Sequence, residues 1–229
     1  MKNFIQKHIL FELLLVFLSF ASARAQNTAD SLVLYTNEFK FSEGLFPDFE
    51  SVKNNSPIPK GRIVTEFDYN DNYFFENLTA QKSISYFDNL GNSIRLQTRN
   101  LWGYGKNGSL YINIDDGFYR ITLIGSICHF IAYRTEVYRR SYYEPYAMSY
   151  PYYPGSTTTS TEMKQYLLDF NTGRIVLYDI AGLEVLLMPD AELHDEFMQL
   201  SSRKKKQLKF VYIRKFNERN PLYLVNNKL

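Results

Sequence analysis

The side chains able to do chemistry are few, and their spacing limits what they can do. His129 sits between Ile127 and Ile131, so it reads as a hydrogen-bonded core imidazole, with a catalytic base as the sharper alternative. His194 follows Asp190 by four residues, which places two metal-ligating groups on one helical face; a zinc centre needs at least three protein ligands, so a solvated helix face is the plainer reading. Asp115-Asp116 together with Asp179 or Glu184 would be the carboxylate pair of a glycoside hydrolase if a cleft brought them together, although acidic turn residues are common without one. Cys128 is the sole cysteine, which excludes an intrachain disulfide, and its apolar neighbours mark it as a small buried hydrophobe. No His-Glu-x-x-His, Gly-x-Ser-x-Gly, glycine-rich phosphate loop or Cys-x-x-Cys occurs, so no cofactor or metal is implied.

Two further stretches carry binding chemistry. Tyr142, Tyr143, Tyr146, Tyr150, Tyr152 and Tyr153 are interleaved with Pro145, Pro151 and Pro154 and followed by a hydroxyl run, Ser156 to Thr161. Tyrosine combines a flat apolar body with a polar tip, so these six are the candidate partner-binding residues, facing an envelope glycan or protein. The competing reading is a loop insertion without a partner, since no hydrophobic period survives between residues 141 and 160. Arg203-Lys204-Lys205-Lys206 with Lys209, Arg214, Lys215 and Arg219 form a basic block suited either to anionic polymer or lipid headgroups or simply to solvent.

The elements that must position these groups read mainly as strands. Ser109 to Ile114 alternates Leu110, Ile112 and Ile114 against Tyr111 and Asn113, the period of a half-buried strand. Phe118 to Arg134 is apolar on both faces, with Ile121, Leu123, Ile127, Ile131 and Tyr133 on one side, and reads as one central strand bent at Gly125. Asn107-Gly108, Asp116-Gly117 and Asn171-Thr172-Gly173 are hairpin signals. Leu32 to Lys40, Gly61 to Asp68, Asn72 to Thr79, Ser83 to Phe87, Ser93 to Thr98, Met163 to Phe170, Arg174 to Asp179 and Leu183 to Met188 complete a meander. Gly44-Leu45-Phe46 reads as an extended entry to a helical turn at Phe49 and Val52. Asp190 caps a carboxy-terminal helical segment over 190–220, striped by Leu193, Phe197 and Leu200, then Leu208, Val211, Tyr212 and Phe216. The expected class is mainly β with a C-terminal helix (α+β), an antiparallel meander forming a curled sheet, an open barrel or a sandwich.

Met1 to Gln26 has a cationic start, an apolar stretch from Ile9 to Phe20 and Ala23-Arg24-Ala25, so it reads as a secretory signal peptide cleaved between Ala25 and Gln26. A transmembrane helix would need a longer apolar run. Cleavage removes three of the 26 basic and one of the 24 acidic residues, leaving 23 of each. A neutral chain lacks the basic footprint of a nucleic-acid binder. Residues 26–229 then form one β-rich domain without a later transmembrane span.

Taken with Ala23-Arg24-Ala25-Gln26, the residues Gly44-Leu45-Phe46 with Phe49 and Asn55-Ser56-Pro57, Trp102-Gly103-Tyr104 with Tyr111-Ile112, the Asp169-Phe170-x-Thr172-Gly173 hairpin and Glu192-Leu193-His194 with Glu196-Phe197 resemble the small secreted proteins of Bacteroidota. That resemblance implies export from a Gram-negative cell, to the periplasm, the outer membrane or the exterior, and implies no activity. Asp30-Ser31-Leu32 also resembles the O-glycosylation acceptor of that phylum, which would leave the sequons at Asn54, Asn77 and Asn107 without meaning. The expected function is a non-enzymatic binding or interaction module. The alternatives are a hydrolase acting on glycan and a barrel holding an apolar ligand.

Overall fold

The computed structural model describes residues 32–139 and 157–226. Ala25, Gln26 and the six tyrosines from Tyr142 to Tyr153 lie outside them. In chain order the elements are β1 (Leu32–Leu34), β2 (Gly44–Phe46), α1 (Phe49–Lys53), β3 (Ile63–Val64), α2 (Phe74–Thr79), β4 (Ser83–Phe87), β5 (Ser93–Gln97), β6 (Gly103–Lys106), β7 (Ser109–Ile114), β8 (Gly117–Leu123), β9 (Ile127–Arg139), β10 (Thr157–Asp169), β11 (Ile175–Leu177), α3 (Ile180–Leu187), α4 (Ala191–Met198), α5 (Ser202–Arg219) and β12 (Tyr223–Val225). The class is the expected one: mainly β, antiparallel, with helices at the carboxy-terminal end.

The largest sheet has seven strands in the order β11-β10-β9-β8-β7-β6-β2; β3-β4-β5 form a second sheet and β1-β12 a third. None closes on itself, so the barrel interior considered for an apolar ligand has no counterpart among the described residues. Two-residue turns make the β6–β7 and β7–β8 hairpins. At the second, Ile114 pairs with Gly117, and Asp115 and Asp116 take the positive φ values (51° and 66°) that a twist-matched turn demands. Glycine was expected to carry that geometry, yet here it starts the strand, because aspartate also tolerates the left-handed region. Gly173, at φ +77°, does turn the β10–β11 hairpin.

Four expectations are corrected. Phe118 to Arg134 is not one strand: the chain reverses at Ile124-Gly125-Ser126, and β8 and β9 pair antiparallel with a register shift between Ile121 and Leu123. Asn72 to Thr79 contributes a helix, because Phe74, Phe75 and Leu78 fall on one helical face and all three are buried. Leu183 to Met188 is likewise helical, with Asp179 accepting from Gly182 N–H at 2.7 Å to cap α3 and Leu183, Leu186 and Leu187 buried at helical spacing. The hydroxyl run, placed in the loop by composition, enters β10 from Thr157 onward, as β-branched threonine suits a strand.

Each face of the big sheet is buried by something different. Ile112, Ile121, Cys128, Phe130 and Leu168 face one cluster, closed by Leu222 and Leu224 near the β1-β12 pair. On the opposite face Ile127 and Leu167 meet the helices through Leu183, Leu187, Phe197 and Ile213. Asp179, Asp190 and Ser201 cap the three helices. Each cap is worth about 1 kcal/mol, whereas burying each large apolar side chain contributes roughly 1.5–3 kcal/mol, so packing onto the sheet is what holds the helices in place. On α5 the buried stripe is Tyr212, Ile213 and Phe216; Val211, assigned to it by periodicity, is 41% exposed.

Candidate functional site

β9 and β10 run side by side over thirteen paired residues, from Ile127 opposite Asp169 to Arg139 opposite Thr157. The helices cover only the base of this ribbon. Directly paired residues share a face, so one face reads outward from buried His129 and Leu167 to Ile131 beside Gln165, Tyr133 beside Met163, and Thr135 beside Thr161. Ile131 is 37% exposed, Tyr133 53% and Met163 54%. The other face is charged where the first is apolar: Ala132 pairs with Lys164 and Arg134 with Glu162, and Arg134 reaches Asp115 at 3.3 Å. The sequence therefore keeps a core-type alternation where the described helices no longer cover it.

At the helical end the strip meets an aromatic cluster. His129 stands edge-on to Tyr178 (5.0 Å) and Phe210 (4.9 Å), and Phe210 is 37% exposed. Lys209 Nζ lies 3.7 Å from the centre of the Tyr178 ring and donates to the Tyr178 carbonyl at 2.8 Å. Met163, Gln165, Tyr178 and Lys209 border a hollow of about 360 Å³. Burial holds the Lys209 ammonium below its ordinary lysine value, with Asp179 partly opposing.

No family model matches this chain, and no curated protein or solved structure matches it.

The remaining candidate residues are placed as follows. His129 is a core histidine: Nε2 lies 3.0 Å from Gln165 Oε1, and burial lowers its pKa, opposed by that hydrogen bond and reinforced by Lys209. Below the ordinary imidazole value near 6.5 the unfolded chain takes up a proton that the folded chain resists. Stability should therefore fall as pH drops through that window, by up to about 1.4 kcal/mol per pH unit until the lowered folded value is reached. Thermal melts between pH 7 and pH 5 check this; the fall should flatten in His129→Phe, and an unchanged fall in that variant would refute the assignment. Cys128 is fully buried, its Sγ 3.2 Å from the Gly125 carbonyl, and burial pushes the thiol up to about 12.

Asp190 caps α4 through Leu193 N–H and pairs with Arg219 at 2.9 Å, so it is committed to structure beside His194. Among the described residues no group of three or more His, Cys, Asp or Glu is arranged to hold a metal ion. Asp116 borders a hollow with Arg95 and Arg99, while Asp179 borders the hollow with Lys209, so the carboxylates considered for hydrolysis stand on separate hollows. The basic block is partly spent within the fold: Lys215 bonds Glu196 at 2.6 Å and Arg219 bonds Glu192 at 2.6 Å, tying α5 to α4. Among the described residues no helix is long and apolar enough to cross a membrane.

Sequence reasoning placed Ile131 and Tyr133 on one face but assigned that face to the core. Met163 was missed as its partner, because the pairing that sets them side by side is decided by the ladder.

Proposed function

We propose that the chain is an exported, non-enzymatic interaction module that docks a protein of the cell envelope onto the apolar face of the β9–β10 ribbon. The observation that carries this reading is the strip of Ile131, Tyr133 and Met163, exposed on one face of the ribbon, with half-exposed Phe210 packed on His129 at its base. Contiguous large apolar side chains on a surface mark a place where another surface sits, and Tyr and Met are enriched where proteins meet. The signal-peptide pattern and the resemblance to secreted proteins of Bacteroidota support action outside the cytoplasm. A hydrolase would need two convergent carboxylates, and the acids at Asp115, Asp116 and Asp179 serve a turn, an ion pair and a helix cap instead.

The test is co-sedimentation of the purified chain with a Gram-negative envelope fraction. The double variant Tyr133→Lys with Met163→Lys should lower retention at least tenfold, because each lysine puts a charge into a desolvated contact. Both sites are half-exposed, so the melting temperature should move little. Retention should also be lost when the fraction is treated with protease. Retention unchanged in the variant would refute the reading, and retention abolished only by glycan digestion would replace the protein partner with a saccharide.

A further inference from the structure

A second surface, lined by the β3-β4-β5 sheet and the end of α2, has the opposite chemistry. The end of the β3-β4-β5 sheet and the β7–β8 turn enclose a hollow of about 850 Å³ bordered by Lys82, Ser83, Arg95, Gln97, Arg99 and Asp116, and no aromatic ring lines it among the described residues. That volume lies within the range of small-molecule sites. Three cations face one carboxylate, and among the described residues none of the three stands within 4.0 Å of an acidic group.

The scaffold that presents them is held from both sides. Arg95 Nε donates to Ser83 Oγ at 2.8 Å across the β4–β5 ladder, which orients the guanidinium while its other donors meet no partner among the described residues. Thr98 ties the far wall to the near one, its N–H donating to the Lys82 carbonyl at 3.1 Å and its hydroxyl to the Gln81 carbonyl. Asn113 Nδ2 donates to the Leu101 carbonyl at 2.9 Å and reaches the Thr98 carbonyl at 3.3 Å, fixing the turn that carries Arg99.

We infer that this hollow binds an acidic oligosaccharide, with Arg95 and Arg99 on its anionic groups and Gln97, Ser83 and Lys82 on its hydroxyls. Guanidinium forks match carboxylate and sulfate oxygens, and the neutral polar groups match sugar hydroxyls. The site is distinct from the ribbon, so each reading can fail alone.

The test is calorimetric titration of the full chain with tri-galacturonic acid, a neutral galactose trimer and sodium sulfate. The acidic trimer should bind with Kd below about 1 mM, the neutral trimer and sulfate at least tenfold more weakly. Arg95→Gln with Arg99→Gln should weaken the acidic trimer about tenfold or more, while Arg203→Gln with Lys204→Gln, which removes the same charge from α5, should leave it unchanged. Absence of binding, equal binding of the neutral trimer or sulfate, or equal loss in both double variants would overturn the inference. A melting temperature for each variant separates loss of the site from loss of the fold.

Discussion

Tyr104→Ala is expected to destabilise the fold by about 3–5 kcal/mol, lowering the melting temperature by roughly 10 °C for a chain of this size. Tyr104 lies on β6 with 2% of its surface exposed, stacked between Phe75 at 4.9 Å and Tyr111 at 4.7 Å, with Phe118 tilted against it at 5.5 Å. Truncation removes the centre of that stack and leaves a cavity between a strand and α2, neither of which can close it without leaving its own ladder or helix. The stack belongs to the cluster of Leu45, Phe74, Phe75 and Ile84 that joins the small sheet to the large one. Arg95 rides on that small sheet and Lys82 leads into it, so the alanine variant should also lose the acidic-saccharide site. Tyr104→Phe keeps the stack and should melt within a few degrees of the parent. Thermal melts followed by circular dichroism decide the matter, and an alanine variant that melts like the parent would refute the assignment of Tyr104 as the joint.

Asn217→Leu is expected to cost about 3 kcal/mol through two orphaned backbone groups. Asn217, on α5, accepts from the Ile127 N–H at 2.8 Å and donates to the Ile127 carbonyl at 2.9 Å, serving the first residue of β9 where the ladder to β8 is broken. Ser126 adds a hydroxyl bond to the Asn220 carbonyl at 2.6 Å. A side chain on residue 125 would place its Cβ 2.3 Å from Asn217 Nδ2, so glycine is what lets the amide approach. Gly125→Ala should therefore reproduce much of the loss by pushing the same amide away. Asn217→Asp, which keeps the acceptor and loses the donor, should fall between the two. Amide hydrogen exchange at Ile127 reads the effect locally, and unchanged protection in Asn217→Leu would refute the latch.

These two sites show where sequence reasoning reached and where it stopped. The hairpins at Asn107-Gly108 and Asn171 to Gly173 were legible because turn geometry is local and few residues tolerate it. The cap at Asp190 was legible for the same reason, whereas the Asp48 cap of α1 was not read from the sequence. The short apolar runs were not: Phe74-Phe75 with Leu78, and Leu183 with Leu186-Leu187, fit a strand or a helix equally until a sheet face and a cap decide. Gly125 was recognised as an interruption, but nothing near it in sequence says that an asparagine ninety residues later will complete the reversal.

The order of amino acids alone determined the antiparallel class, most of the places where the chain turns and the cap at Asp190, because each depends on neighbours within a few residues, and the single cysteine by itself excluded an intrachain disulfide. Tertiary structure alone decided that Tyr133 stands beside Met163, that three cations without an ion-pair partner among the described residues converge on one hollow, and that His129 is shut in by Tyr178 and Phe210. Those are facts about surfaces meeting across long loops of chain, and their energies come from packing and desolvation, which no local pattern encodes.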